Sequence, residues 1–279
     1  MNTRTFSLPG RTSARGAAKG SAVGVAARWG LAARGVLYVL IGLLALRIAF
    51  GEGDEQADRG GALAELSQQP MGSPLLWAVG VGLVGMALWR LSEAVFGAAG
   101  EGGHKARKRL MSAARCVFYG FVAYSVLAFA GGEGGSGSGS GDRQSEDVTA
   151  RALDLPGGRW IVGLAGLGIV AAGLWMATRA ALRKYRKHLR TGTMSHRARR
   201  FTDVTGVGGG VARGAVFAVV GVFIVRAALT YEPDEAKGLD DALRSFATTP
   251  VGPWLLVLVA SGLTLFGLFS FAMARWRRV

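Results

Sequence analysis

The sequence predicts an all-α, polytopic membrane protein, with six transmembrane helices as three parallel two-helix repeats in a pseudo-threefold bundle. Two observations lead to this fold class: long apolar blocks without charge, and a motif that occurs three times. Half of the 279 residues are hydrophobic, and the mean hydropathy is +0.31. The apolar residues stand in long runs rather than at the short periods of a soluble core. Lipid is therefore the expected surroundings of much of the apolar surface.

The apolar blocks define the spans. Four blocks contain no Asp, Glu, Lys or Arg, and they cover residues 66–89, 116–132, 160–178 and 245–274. A helix needs about 20 apolar residues to cross the hydrocarbon core, and these blocks reach or approach that length. Two weaker blocks are bracketed by arginines, and the internal repeat identifies them as transmembrane. The predicted spans are 29–50, 74–96, 112–131, 158–179, 208–229 and 251–274.

The repeat consists of two helices. Each odd-numbered span opens on Ala-Arg-small-x-x-aromatic, with the arginines at Arg34, Arg115 and Arg213. Each even-numbered span opens on Pro-x-Gly, with the prolines at Pro70, Pro156 and Pro250. Small residues recur every seven positions, so they form one stripe on each helix. Such stripes let helices approach closely in lipid, where the hydrophobic effect does not drive their association.

The repeat divides the chain into units and loops. A basic cytoplasmic tail, 1–28, is expected to be disordered. The repeat units cover 29–97, 111–180 and 208–275, with cytoplasmic loops at 98–110 and 181–207 and a cytoplasmic tail at 276–279. In the outer loops, Ala-Leu segments predict short interfacial helices in units 1 and 3. Unit 2 instead contains a Gly/Ser-rich outer linker, 131–141. Helical spacing of apolar residues after span 4 predicts that this helix continues into the cytoplasm.

The net charge of +15 would suggest nucleic acid binding in a soluble protein. Here basic and acidic segments alternate perfectly along the chain. The basic segments are 1–28, 90–115, 179–213 and 275–279, and the acidic ones are 47–74, 131–159 and 226–253. Lys and Arg mark cytoplasmic loops, so both termini are predicted to be cytoplasmic. The expected partners are the lipid bilayer, with anionic phospholipids at the basic cytoplasmic loops, and no nucleic acid; protein partners stay open.

The aligned arginines Arg34, Arg115 and Arg213 are the main functional candidates. A pseudo-threefold axis would place them at one depth, as a ring that binds an anion or a lipid headgroup. The alternative is a structural role, in which their side chains extend to the membrane interface. The supporting candidates are Tyr38, Tyr119, Glu93, Arg47 and Arg226. For Glu93, a salt bridge with Arg34 or Arg90 is expected, and the tryptophans are expected to anchor the span ends.

The sequence offers no motif for catalysis. Its single cysteine, Cys116, lies in an apolar run and is predicted to pack there. The histidines His104, His188 and His196 lie in basic loops without the spacing of a metal site. We therefore expect no enzyme activity, no catalytic residue, no cofactor and no metal.

The three Ala-Arg-small-x-x-aromatic helices, each followed by an acidic loop and a Pro-x-Gly helix, resemble the domain-of-unknown-function family 1206. The resemblance covers about residues 29–275 and implies a bacterial plasma (inner) membrane location, without implying an activity or site residues. Three functions stay open. The leading one is a structural or interaction module of the membrane. The others are a small-solute or anion transporter or channel along the pseudo-threefold axis, and an anionic-lipid-binding protein.

Overall fold

The computed structural model describes residues 11–50, 57–97, 105–132, 141–236, 243 and 252–277. These residues form α-helices joined by short turns, with one isolated β-bridge between Leu189 and Arg277. The helices are α1 (Arg11–Ala49), α2 (Arg59–Ser67), α3 (Gly72–Phe96), α4 (Ala106–Ala130), α5 (Gly141–Leu153), α6 (Gly158–Ala181), α7 (His196–Thr230) and α8 (Gly252–Trp276). Three 3₁₀ turns lie at Lys184–His188, Thr191–Thr193 and Pro233–Glu235.

Six of the helices are long and apolar enough to cross a membrane, as predicted. They are Gly24–Ala49 within α1, and α3, α4, α6, α7 and α8. This confirms the all-α, polytopic fold class. The two spans bracketed by arginines, 29–50 and 208–229, are both among the six.

The long helices pack side by side in the order α4, α3, α1, α8, α7, α6. Neighbours run antiparallel, so the first helix of every unit points the same way. We call the end where α3, α6 and α8 finish the basic end, and the opposite end the acidic end. In the described residues, no extensive contact joins α4 to α6, so the row is not closed into a ring. The pseudo-threefold arrangement is therefore not confirmed.

The small-residue stripes lie between units. A Cβ added to Gly267 of α8 would lie 2.8 Å from the carbonyl oxygen of Gly35 in α1. A Cβ on Gly173 of α6 would lie 2.6 Å from that of Gly214 in α7. These distances are shorter than real Cβ atoms tolerate, so only glycine permits these backbones to approach so closely. The seven-residue pattern thus marks the interfaces at which one unit packs on the next.

Three predictions about the flanking segments need correction. The tail expected to be disordered is helical from Arg11, because its alanines and arginines favour helix; residues 1–10 lie outside the described residues. Helix α6 does not continue through the basic segment that follows it, since it ends at Ala181 and Arg183 turns left-handed with φ of 51°. The outer loop of unit 2 forms the 13-residue helix α5, and most of the Gly/Ser linker lies outside the described residues.

The short helix predicted in the outer loop of unit 1 is present as α2. Asp58 begins it, and its carboxylate accepts a hydrogen bond of 2.9 Å from the Gly61 amide. Side-chain acceptors of this kind satisfy amides that have no partner in the first turn. The equivalent segment of unit 3 lies outside the described residues, apart from Leu243.

Candidate functional site

Guanidinium groups converge at the basic end of the bundle. They come from all three units and form what we call the arginine cluster: Arg34, Arg90, Arg115, Arg213 and Arg277. In the part of the chain that the structure describes, one carboxylate, that of Glu93, lies among them. The first helix of each unit supplies one arginine of the repeated motif, while α3 supplies Arg90 and the residue after α8 supplies Arg277.

Arg213 occupies the most aromatic part of the cluster. Its Nε donates a hydrogen bond of 2.8 Å to the hydroxyl of Tyr38. Its guanidinium carbon also lies 4.8 Å from the ring centroid of Phe266 and 5.1 Å from that of Phe217. Aromatic faces carry negative partial charge, so they stabilise the cation without neutralising it. Arg213 therefore keeps its full charge inside the bundle.

Arg34 is held in a similar way. Its Nε donates a hydrogen bond of 3.1 Å to the Ser270 hydroxyl, and its guanidinium carbon lies 5.1 Å from the Phe266 ring. Ser270 is fully buried and donates its own proton to the carbonyl of Phe266 at 2.9 Å. Phe266 thus lies under both Arg34 and Arg213, and it links the two charges through one ring.

Arg90 and Glu93 form the ion pair of the cluster. Arg90 is only 6% exposed, and its Nη1 lies 2.6 Å from the Glu93 Oε2. Glu93 therefore pairs with one of the two partners that the sequence suggested. The same oxygen accepts a hydrogen bond of 3.2 Å from Ser112 of α4. This oxygen thus contacts two donors, and the carboxylate pairs with one arginine of the five.

Arg277 reaches the cluster through a loop contact. Leu189 forms the isolated bridge with Arg277, and the Arg190 amide donates to the Trp276 carbonyl at 2.9 Å. The guanidinium carbon of Arg277 lies 4.4 Å from the ring centroid of Trp89, and that of Arg90 lies 4.1 Å from it. Burial and the nearby charge of Arg90 lower the pKa of Arg277, with Arg34 and Arg115 adding to the effect.

Two polar atoms of the cluster lack a partner in the described residues. They are the Nε of Arg90 and the Nε of Arg277, and both are buried. A buried donor without an acceptor is costly, and the cost is larger for a charged group. The donors and the excess positive charge are the features of a site that accepts an anion.

Tyr119 connects the three arginines predicted as a ring. It is 9% exposed and interacts electrostatically with Arg34 and Arg213, and Arg115 interacts with it in turn. Arg115 itself is exposed, unlike the other two, which are half-buried. The structure thus brings the three motif arginines to one end of the bundle, around one tyrosine. Whether they act as a binding ring stays a prediction.

The two remaining candidates lie at the acidic end, far along their helices from the cluster. Arg47 pairs with Glu65 of α2 at 3.5 Å, and Arg226 pairs with Glu235 at 3.4 Å. Both arginines are exposed, with side chains 50% and 57% accessible. The structure therefore separates Arg47 and Arg226 from the other candidates and joins each to a connecting segment at the acidic end.

The basic loop beside the cluster holds a second polar group. Arg186 forms a two-pronged ion pair with Asp203 at the start of α7, in which its Nε lies 2.8 Å from Oδ1. Burial and the Asp203 carboxylate raise the pKa of Tyr185 to about 12. Arg186 and Asp203 line a cavity of about 670 Å³, together with three further arginines, one histidine and small or apolar residues of α7.

The repeat of this chain is shared with known proteins. The family described as Domain of Unknown Function (DUF1206) matches the chain three times, over residues 29–97, 110–183 and 208–277. The chain belongs to the DUF1206 family. The resemblance inferred from the repeated motif is thereby confirmed. A protein of Bacillus subtilis (strain 168) described as uncharacterized protein YxxB is 31% identical over 245 residues, which are 87% of each chain. No solved structure matches the chain.

Sequence reasoning missed three members of the site within these DUF1206 units. Ser270 and Arg277 stand near the end of α8, and Trp89 was expected to be an interfacial anchor. Trp89 is instead 4% exposed, because two guanidinium groups and the packed helices cover its ring. The repeat contained a signal for this position, because it aligns Trp89 with Phe269. A phenylalanine at the equivalent position indicates an apolar environment rather than an interfacial one.

Proposed function

We propose that this protein binds a phosphate-class anion at the arginine cluster. The observation that carries the proposal is the charge balance of a partly buried site, in which, among the described residues, five arginines converge and one carboxylate, Glu93, accompanies them. The unpartnered Nε atoms of Arg90 and Arg277 supply donors for such a ligand. Guanidinium groups match the geometry of phosphate oxygens, which makes phosphate a better fit than a halide.

This proposal gives the structural or interaction module, which is the leading hypothesis from the sequence, a specific role in binding an anion. The close glycine interfaces support a rigid frame, and a rigid frame keeps the arginines together despite their repulsion. That the protein binds rather than catalyses stays a prediction from the sequence. The ligand would be held by charge-assisted hydrogen bonds, with Arg213 and Arg34 fixed by Tyr38 and Ser270 as permanent positive neighbours.

Binding fits the apolar surroundings better than transport along the bundle axis. Many buried residues between the cluster and the acidic end are aliphatic, among them Leu37, Ile41, Leu44, Leu83, Leu256 and Leu263. A permeating anion needs polar groups along its whole path, because desolvation in hydrocarbon is costly. The observation supports a site that opens at one end.

The location of the site follows from the charge distribution. We propose that the basic end faces the cytoplasm of a bacterial inner membrane, with both termini on that side. Phosphate-bearing solutes and anionic headgroups are both abundant there. The basic loop that precedes α7 would add attraction for them.

The test uses the full chain in a neutral detergent at constant ionic strength. Pyrophosphate binding is measured by calorimetry for the wild type, for Arg277→Gln and for Arg226→Gln. The control Arg226→Gln removes the same charge at the acidic end, where Arg226 pairs with Glu235. We expect about tenfold weaker binding in Arg277→Gln and no change in the control. Absence of pyrophosphate binding, or an equal loss in both variants, would refute the proposal.

A further inference from the structure

Unit 2 differs from units 1 and 3 in how its two spans meet. In unit 1, a Cβ on Gly82 would lie 2.9 Å from the Ala33 side chain, and in unit 3 Gly262 is pressed still more closely against Ala212. The equivalent Gly168 of α6 has no atom within 4 Å of its Cβ position and is exposed. The packing that closes units 1 and 3 is therefore missing between α4 and α6.

Other equivalent positions show the same difference. Trp89 and Phe269 are 4% and 6% exposed, whereas the equivalent Trp175 of α6 is 57% exposed. Leu37 is 5% exposed, whereas the equivalent Phe118 of α4 is 55% exposed. We call the space bordered by α4 and α6 the lateral opening. Between their ends, the exposed side chains of α4 and α6 are largely hydrophobic, so a hydrocarbon chain is compatible with them.

The basic end of the lateral opening adjoins the arginine cluster. Arg115 of α4 is exposed there, and it interacts electrostatically with Arg90 and Glu93 inside the cluster and with Arg179 of α6. Arg90 offers the unpartnered Nε described above. The opening thus leads from an apolar, lipid-facing surface to a group of uncompensated positive charges.

From this juxtaposition we infer that the lateral opening admits an anionic glycerophospholipid, whose phosphate reaches Arg115, Arg90 and Arg277 while its acyl chains lie between α4 and α6. The inference rests on the proposed function, because it names the source of the anion. A phospholipid combines the two chemistries that the opening presents, hydrocarbon walls and a cationic end. A free phosphate would use the cluster without using the opening.

A second copy of the chain is the main competing occupant. A copy inserted in the same orientation would bring its own basic end beside the first. The exposed charges there are mostly of one sign, for example Arg183, Lys184 and Lys187, and like charges repel. The charge at this end therefore favours an anionic lipid over a second copy.

The experiment compares lipid and free anion on the same variants. Phosphatidylglycerol binding to the full chain in detergent is measured by native mass spectrometry, with phosphatidylcholine as the uncharged reference and pyrophosphate titrated separately. Gly168→Trp fills the opening, and the control Leu258→Trp places the same side chain on α8, away from the opening, at a residue that is already 69% exposed. We expect Gly168→Trp to weaken phosphatidylglycerol binding about tenfold and to leave pyrophosphate binding unchanged, and we expect Leu258→Trp to change neither.

Three results would overturn the inference. Phosphatidylglycerol binding that is unchanged in Gly168→Trp, or no stronger than phosphatidylcholine binding, would mean that the lipid does not use the opening. A wild-type dimer that Gly168→Trp converts to monomer would assign the opening to a second copy. In each case, pyrophosphate binding that still depends on Arg277 leaves the proposed function standing. Loss of that dependence refutes the proposed function as well.

Discussion

The Nε of Arg213 donates a 2.8 Å hydrogen bond to the hydroxyl of Tyr38, which lies 175 positions earlier in the chain. Both residues belong to the repeated motif, Arg213 in unit 3 and Tyr38 in unit 1. The bond therefore joins two units through equivalent helices and fixes one arginine of the cluster. Phe266 lies against both partners, with its ring centroid 4.7 Å from that of Tyr38.

Removal of this acceptor should be measurable. Tyr38→Phe keeps the ring and deletes the hydroxyl, so Arg213 loses its neutral partner in a poorly solvated position. We expect a loss of about 1.5–3 kcal/mol in the free energy of unfolding, measured by thermal or denaturant unfolding in detergent. The control is Tyr124→Phe, since Tyr124 is 67% exposed. An equal effect of both substitutions would contradict the role of the bond.

The ion pair between Arg90 and Glu93 should be more sensitive than the outer pairs. Glu93→Gln leaves buried Arg90 among four other arginines, and we expect a loss of about 3–5 kcal/mol in unfolding free energy. Glu65→Gln, which breaks an exposed pair with Arg47, should cost about 0–1 kcal/mol. Pyrophosphate should restore part of the stability of Glu93→Gln by replacing the lost negative charge. A double-mutant cycle with Arg90→Met measures the coupling.

The glycine interface between α6 and α7 should not tolerate a methyl group. At Gly173 a Cβ would lie 2.6 Å from the Gly214 carbonyl oxygen, so Gly173→Ala must push the helices apart. We expect a loss of about 1–3 kcal/mol in the free energy of unfolding. Gly168→Ala on the same helix meets no neighbour within 4 Å. That control should be neutral or slightly stabilising, because alanine favours helix. Equal destabilisation would contradict the interface.

His188 should report occupation of the cluster. Desolvation beside the packed loop lowers the pKa of His188 to about 4, and Arg277 is the first of the charges that lower it further. Between about pH 6.5 and 4 the unfolded state binds more protons at this residue, so its contribution favours unfolding as the pH falls. A bound anion should raise the pKa of His188 toward 6.5. NMR titration of labelled histidine, with and without pyrophosphate, measures this change, and Arg277→Gln should reproduce its direction.

The orientation in the membrane can be tested with the single cysteine removed. In the Cys116→Ala background, Ser136→Cys lies in the acidic loop of unit 2 and Gly192→Cys in the basic loop before α7. The charge rule predicts that a membrane-impermeant maleimide labels Ser136→Cys in intact bacterial cells and labels Gly192→Cys after lysis. Labelling in the reverse order would invert the topology.

The sequence determined the spans and the helix faces that pack. Apolar blocks long enough to cross the bilayer give the six helices, and the seven-residue spacing of Gly35 and Gly42 gives the stripe that meets α8. These features follow from local composition and helical period. The repeat also identified Arg34, Arg115 and Arg213 as equivalent, and the structure places them at the same end of the bundle.

The tertiary structure decided which side chains meet across units. No local pattern pairs Arg34 with Ser270 or places Arg277 beside Trp89, because these contacts depend on how α8 returns to α1 and α3. The repeat does not predict the lateral opening either, because Gly82, Gly168 and Gly262 occupy equivalent positions in it. Their different surroundings arise because α4 and α6 do not pack extensively, and packing between distant segments is set by the whole bundle rather than by the period of one helix.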